Sequence, residues 1–269
     1  MNKNSSFGFT LAEVLITLGV IGVIAAITLP SIIQKYREKA VVSQVEKAYA
    51  MLNEAFSRAI SEYGTVDNWC SINSTNDYSV CAERMRDILS KYLKVTKICT
   101  NWTKMGECLN GDVKYSSTQG EKDKISFYSI YYKSMRLANG MGIAFDARNY
   151  GNDNQAWCSI YTNLQKDQQV QAFGVQNCGY IYVDINGNKG PNRDGIDFFA
   201  FNIRRNGLVG HGQDGLKSLN IGFEYNCIKP IMDKDQGRGS CTAWVLQNKN
   251  LDYLHCPNEL SWTGKTKCK

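Results

Sequence analysis

Residues 9–33 read FTLAEVLITLGVIGVIAAITLPSII, an apolar stretch in which Glu13 is the one charged residue. From Val14 to Ile33 the chain has 20 consecutive uncharged residues. At about 1.5 Å rise per residue, this run would form a helix about 30 Å long, which matches the hydrocarbon core of a bilayer. The stretch therefore predicts a membrane-spanning helix.

A polar leader, MNKNSSFG, precedes the apolar stretch. A secretory signal peptide has a shorter apolar core, roughly 7–15 residues, followed by a small-residue cleavage site. Cleavage after the apolar run would here destroy a full-length span. A plain signal anchor remains the alternative, because Lys3 on the cytoplasmic side agrees with the positive-inside tendency.

Glu13 is the residue that a plain anchor does not explain. A carboxylate one turn inside an apolar helix costs a few kcal/mol on insertion scales, so it normally has a partner and a function. Gly8 followed by FTLAEVLI (residues 9–16) resembles the cleavage and methylation motif of type IV prepilins and pseudopilins. Leader, Gly, aromatic residue, Glu and span in fixed order make this motif specific.

The resemblance implies a role for each matching residue. In that family a membrane aspartyl peptidase cuts after the Gly, here Gly8, and methylates the new N-terminal amine, here that of Phe9. Glu13 would neutralise the amine of a neighbouring subunit in the apolar filament core, where an unpaired charge is strongly penalised. Pro30 falls where many members carry a helix-bending proline, and its missing N–H predicts a kink or local melting.

The helical pattern continues beyond the span and becomes amphipathic. From Val41 to Tyr63, apolar residues follow three-and-four spacing with charged residues between them. Gly64 then ends the pattern. The sequence therefore predicts one helix of roughly 50 residues, half in lipid and half as the spine of an exported domain.

The remaining chain predicts one short helix and an antiparallel sheet. Residues 79–95 are amphipathic and predict the helix. Ala138-Asn139-Gly140 is a hairpin signal, and a turn is predicted at 205–207, before Leu208 and Val209. The predicted strands are 124–136, 141–148, 180–185 and 196–204. This order predicts an α+β, pilin-like fold in which a long N-terminal helix packs on an antiparallel sheet.

Three segments make up the predicted domain organisation. Residues 1–8 are the prepilin leader peptide, 9–33 the transmembrane and assembly helix, and 34–269 an exported pilin-like globular domain with Cys-rich insertions. The Cys-rich stretch around 65–125 is either a separate domain or a set of loops on one fold, and we favour the loops.

Ten cysteines all lie downstream of the apolar stretch, which predicts disulfides in an exported domain. Zinc needs close pairs such as C-x-x-C, and no two cysteines are that near. Ten cysteines allow 945 pairings, so the sequence does not determine the connectivity. Our hypothesis is that sequential neighbours pair, starting with Cys70–Cys81 and Cys99–Cys108. The ten are Cys70, Cys81, Cys99, Cys108, Cys158, Cys178, Cys227, Cys241, Cys256 and Cys268.

The segment 184–197, DINGNKGPNRDGID, places oxygen donors at alternate positions, as loops that bind hard cations do. It resembles a loop near the C-terminal strands of pseudopilins that binds calcium in some members. It departs from the EF-hand pattern, and a plain Gly/Asn/Pro turn is the alternative. The candidate calcium ligands are Asp184, Asn186, Asn188, Asn192 and Asp197.

No catalytic constellation emerges from the sequence. Residues 210–215 match G-x-G-x-x-G, but no βαβ pattern surrounds them. His211 and His255 have no nucleophile or acid at motif spacing. We therefore expect a protein that is not an enzyme and that requires no cofactor, with calcium as the candidate ion.

Charge and composition limit the partners that we expect. The hydrophobic content of 43% is typical of globular proteins, and the net charge of +6 is modest. Basic residues are interspersed with acidic ones, which does not favour nucleic acid as a partner. The resemblance instead implies other pilin subunits, the prepilin peptidase, an inner-membrane assembly platform and membrane lipid.

The function implied is that of a structural subunit of a type IV pilus or a type II secretion pseudopilus. The alternative is a minor tip pilin that acts as a DNA-uptake or adhesive binding module. A membrane-tethered enzyme has no supporting residues. The expected location is the inner membrane with the C-terminal domain outside the cytoplasm, and after assembly a periplasmic pseudopilus or a surface pilus.

Overall fold

The computed structural model describes residues 10–70, 77–114, 124–126, 129–148, 158, 178–212, 227, 241–262 and 264–269. The chain divides into two compact units, Met1–Ala40 and Val41–Lys269. The described residues form an α+β, pilin-like fold with one long helix and a six-stranded antiparallel sheet, which confirms the predicted fold class.

The long helix, α1, comprises Leu11–Tyr63. Gly64 follows it with a φ of +76°, a left-handed conformation that glycine adopts at little cost, and its N–H donates to the carbonyl of Ile60 at 2.9 Å. The predicted end of the helix is therefore confirmed. Among the described residues, α1 is the one helix long and apolar enough to cross a membrane.

Within the second unit, the amphipathic part of α1 supplies one side of the main core. Its buried residues keep the predicted spacing, and they are Val42, Val45, Ala48, Leu52, Ala55, Phe56 and Ala59. The Tyr49 ring stacks on Phe201 of the sheet, with centroids 6.1 Å apart. The Phe56 ring stacks on Trp69, with centroids 5.6 Å apart.

The second helix, α2, comprises Asp77–Ser90 and buries Ala82, Met85 and Leu89 in the same core. The prediction that this helix runs to residue 95 is wrong at its C-terminal end. The chain turns after Ser90, and Val95 begins a strand instead. The strand carries β-branched residues that suit a sheet better than a helix.

The main sheet has six strands, which are β1 (Val95–Cys99), β4 (Lys133–Leu137), β5 (Gly142–Asp146), β6 (Tyr180–Asp184), β7 (Phe198–Arg204) and β8 (Gly207–Gly210). They lie in the order β1-β4-β5-β6-β7-β8, and every neighbouring pair is antiparallel. The predicted hairpin is confirmed, because β4 and β5 pair across the Ala138-Asn139-Gly140 turn.

A separate two-stranded sheet pairs β2 (Asp112–Lys114) with β3 (Lys124–Ser126). The single strand predicted over 124–136 is therefore wrong. Its first residues belong to this small sheet, and the main sheet takes up the chain only at Lys133.

A second core lies on the opposite face of the sheet from α1. The segment between β1 and β2 lies there, and its Met105 and Leu109 pack against Ala144 and Phe198. A third helix, α3 (Thr242–Asn248), buries Trp244 and Val245 in the main core, and the sequence analysis missed it. Lys249, directly after α3, forms an ion pair with Glu46 of α1.

Candidate functional site

Glu13 lies in the first turn of α1 and forms a capping box with Thr10. The Glu13 carboxylate accepts hydrogen bonds from the backbone N–H and the hydroxyl of Thr10, both at 2.8 Å. The Thr10 hydroxyl in turn accepts from the backbone N–H of Glu13 at 3.2 Å. Thr-x-x-Glu is the sequence signature of this arrangement, which satisfies N–H groups that a helix start otherwise leaves unbonded.

The other predicted residues of the N-terminal segment have different outcomes. Gly8 and Phe9 lie outside the described residues, and the cleavage and methylation predictions stay predictions. Pro30 lies inside α1, and the helix continues on both sides of it. Apolar side chains on this part of α1 are exposed, among them Leu15, Ile21, Ile27 and Leu29.

Three carboxylates are buried in the segment 184–197, which joins β6 to β7. Asp184 ends β6, and Asp194 and Asp197 precede β7. The two oxygens of Asp197 accept backbone N–H groups from Asn192 at 2.8 Å and from Arg193 at 2.6 Å. Asp197 therefore organises the turn as a hydrogen-bond acceptor.

Burial raises the pKa of all three carboxyl groups. The pKa of Asp184 rises to about 7, because burial outweighs the hydrogen bond from the Asn110 N–H. Burial likewise raises the pKa of Asp194 and of Asp197, and the negative charge of Asp197 raises that of both other groups. A nearby cation would favour the charged forms of such a group of acids.

Two amide oxygens in the same segment are candidates for cation contact. The Asn186 Nδ2 donates to Asp197 Oδ2 at 3.1 Å, which orients its Oδ1 away from that carboxylate. The Oδ1 atoms of Asn186 and Asn192 are buried, and each lacks a hydrogen-bond donor among the described residues. Buried acceptors without donors carry a desolvation cost that a cation would remove.

The Asn188 side chain contacts residues outside the segment 184–197. It is exposed, its Oδ1 accepts from Arg136 at 2.7 Å, and its Nδ2 donates to the Gly106 carbonyl at 3.0 Å. Asp194, which the prediction omitted, is buried in the segment. Within the described part of the chain, no three His, Cys, Asp or Glu side chains are placed to hold a metal, so amide and backbone oxygens would have to complete any shell.

All ten cysteines are paired, which confirms the prediction of disulfides. Each bond joins neighbours in sequence, at separations of 9 to 20 residues. The pairs are Cys70–Cys81, Cys99–Cys108, Cys158–Cys178, Cys227–Cys241 and Cys256–Cys268.

His211 follows β8 and has structural contacts. Its Nδ1 lies 2.6 Å from the Asn202 Oδ1, and its ring packs edge-on against Tyr180. Residues 213–215 of the G-x-G-x-x-G match lie outside the described part.

Two family models match the chain. The prokaryotic N-terminal methylation motif matches residues 3–29, and a family of unknown function (DUF6613) matches residues 31–110. No curated protein and no solved structure matches. The match over residues 3–29 supports the prepilin and pseudopilin family, whose members are in general structural subunits and not enzymes.

Proposed function

We propose that this chain is a structural subunit of a type IV pilus or a type II secretion pseudopilus, processed by a prepilin peptidase and polymerised through α1. The observation that carries the proposal is the match to the methylation motif over residues 3–29. That match includes Glu13, placed immediately before the 20 uncharged residues of α1.

The exposed apolar surface of α1 supports polymerisation. Exposure of the apolar side chains between Leu11 and Ile33 to water would be strongly unfavourable. They therefore need contact with lipid before assembly and with neighbouring subunits after it. The peptidase would cut the Gly8–Phe9 bond and methylate the amine of Phe9. Glu13 would then pair with the Phe9 amine of an adjacent subunit, which removes two unpaired charges from an apolar filament core.

The proposal places the chain in the inner membrane before assembly, with its disulfide-bonded domain outside the cytoplasm. The ten paired cysteines support this placement, because disulfides persist in oxidising compartments. Its partners would be other pilin subunits, the peptidase and an assembly platform.

Fractionation of cells with and without an active prepilin peptidase tests this function. With the peptidase, we expect the chain in filaments, either sheared from the cell surface or recovered from the periplasm, as well as in carbonate-washed membranes. Without it, the chain should remain in the membranes only. An equal amount of filament-associated chain in both strains would contradict the proposal.

We also propose that the segment 184–197 binds calcium through Asp184, Asn186, Asn192 and Asp197. The unbonded amide oxygens of Asn186 and Asn192 beside buried carboxylates support this set. Calcium accepts six to eight oxygen ligands in flexible geometry, so mixed carboxylate, amide and backbone oxygens suit it. Bound calcium would contact oxygens at the end of β6 and near the start of β7, and would thereby link the two strands.

A further inference from the structure

A short basic segment follows the apolar stretch of α1. Residues 35–39 read KYREK, with three cations against one acid. The side chains of Lys35, Arg37 and Lys39 are exposed. None of these three side chains forms a hydrogen bond or ion pair in the part of the chain that the structure describes.

The three cations surround the helix axis. In an α-helix, Lys35 and Lys39 lie about 40° apart around the axis, and Arg37 lies about 200° from Lys35. All three fall within about 6 Å along the axis. We call the four residues Lys35, Tyr36, Arg37 and Lys39 the basic belt. A surface that surrounds the helix can meet every member, whereas a protein docked on one side meets only part of the belt.

The position of the basic belt matches the edge of a bilayer. The 20 uncharged residues end at Ile33, two positions before Lys35, and they cover the full hydrocarbon thickness. Tyr36 is 71% exposed within the belt, and tyrosine is enriched at the level of lipid headgroups. Lys and Arg can lay their alkyl stems along apolar surface and keep their charge at the headgroups.

Removal of residues 1–8 would leave no Lys or Arg before the belt, because residues 9–34 contain none. The belt then holds the basic side chains nearest to the bilayer. On the exported side, it also reverses the usual placement of cations on the cytoplasmic side of a span. An attraction to the outer headgroups would offset this unfavourable distribution.

We propose that the basic belt binds the anionic headgroups of phospholipids at the exported surface of the membrane. This inference rests on the proposed membrane anchoring, and it adds the lipid class and the residues that recognise it. Each Lys or Arg near an anionic bilayer strengthens the association of the protein with that bilayer by on the order of fivefold. Incorporation into a filament would require the belt to exchange these lipid phosphates for other contacts, so the belt holds the subunit in the membrane until assembly.

Electron spin resonance of spin-labelled lipids tests the proposal on the full-length protein in phosphatidylcholine vesicles. The measurement compares the fraction of labelled phosphatidylglycerol and of labelled phosphatidylcholine immobilised at the protein. We expect a severalfold preference for phosphatidylglycerol at low salt, and a weaker one in about 1 M salt, where the Debye length is about 3 Å. This comparison needs no variant.

Variants assign the effect to the belt. The triple substitution Lys35→Gln, Arg37→Gln and Lys39→Gln should abolish the preference. A control triple, Lys47→Gln, Lys94→Gln and Lys104→Gln, changes the net charge equally at exposed positions outside the belt and should keep it. Equal association of both lipids with the wild type, or a preference that survives in the belt triple, would overturn the inference.

Carbonate washing separates this inference from the proposed function. If the wash releases the chain from membranes, the anchoring is wrong and both proposals fail. If the chain stays anchored without a lipid preference, only the inference about the basic belt fails. In that case, loss of filaments in the belt triple would assign the cations to contacts between subunits.

Discussion

Glu13 combines a negative charge with a hydrogen-bonding position at the start of α1. The capping box with Thr10 explains how one subunit accommodates this side chain. It does not require the charge, because glutamine serves at the same position of a capping box. The proposed pairing of Glu13 with a neighbouring subunit's amine does require the charge. The two contributions can therefore be separated by substitution.

The first prediction compares Glu13→Gln with Glu13→Ala. Both variants should insert into membranes at least as well as the wild type, because each removes a charge that costs a few kcal/mol in the span. Both should enter filaments poorly, because the neighbour's amine loses its counter-charge. The measurement is the ratio of filament-associated to membrane chain. Thr10→Val is the control: it removes the hydroxyl contact, keeps the charge and should assemble. Normal assembly of Glu13→Gln would show that charge pairing is dispensable.

At the residue scale, the functional residues of the N-terminus were easier to predict from the sequence than the candidate calcium ligands of the segment 184–197. The motif around Glu13 has a fixed order, so it could be recognised without a structure. The Thr-x-x-Glu spacing of Thr10 and Glu13 also predicts the capping box, which the sequence analysis did not include. The orientations of the Asn188 and Asp194 side chains could not be predicted from the sequence. They depend on local turns such as the one at Asn192, whose φ is +53°.

The segment 184–197 behaves as one element that links β6 and β7. The second prediction is that calcium raises the melting temperature of the exported fragment, residues 34–269, relative to chelator. If calcium binds only the folded form, the stabilisation is about 2.7 kcal/mol at a hundredfold excess over Kd. Asp184→Ala should abolish the calcium-dependent difference.

Asn188→Ala provides the matched control for the calcium measurement. Asn188 bonds to Arg136 and Gly106, so its loss should lower stability but leave the calcium-dependent difference unchanged. An unchanged melting temperature of the wild type from chelator to millimolar calcium would make the segment an ordinary turn.

The third prediction concerns the packing of the Cys99–Cys108 segment on β5. A Cβ at Gly142 would lie 2.6 Å from both the Cys108 carbonyl oxygen and the Leu109 Cβ. Gly142→Ala should therefore lower the free energy of unfolding by about 1–3 kcal/mol, since such overpacking displaces backbone. Urea unfolding of residues 34–269 measures it. Gly264→Ala is the control, because its Cβ would meet Ser261 at an ordinary 3.4 Å. Equal stability of the Gly142 variant and the wild type would contradict the packing described.

At the element scale, long periodic patterns were predictable and short elements were not. The amphipathic half of α1 and the β4–β5 hairpin were found, because spacing and turn residues agree with the fold. The helix α3 has only seven residues, which is too short for helical spacing to be recognised. The strand β1 was not predicted, and its first residue, Val95, was placed at the end of a helix. The pairing of β1 with β4 depends on residues about 40 positions away in the sequence.

At the scale of the whole molecule, five disulfides between sequential neighbours each close a short loop of the chain. The fourth prediction is that alkylation of unreduced exported protein labels no cysteine, and that peptide mapping finds the five pairs of sequential neighbours. Each short loop contributes about 3 kcal/mol by restricting the unfolded chain. Reduction should therefore destabilise the protein strongly. Labelling of most cysteines before reduction would contradict this covalent framework.

The chain joins an N-terminal methylation motif and a long apolar helix to a disulfide-bonded α+β domain. We propose that it is processed as a prepilin, and mass spectrometry of membrane-extracted protein tests this most directly. In cells with an active prepilin peptidase, we predict a chain that lacks residues 1–8 and begins with a singly methylated Phe9. Recovery of only the intact chain beginning at Met1 would contradict the account.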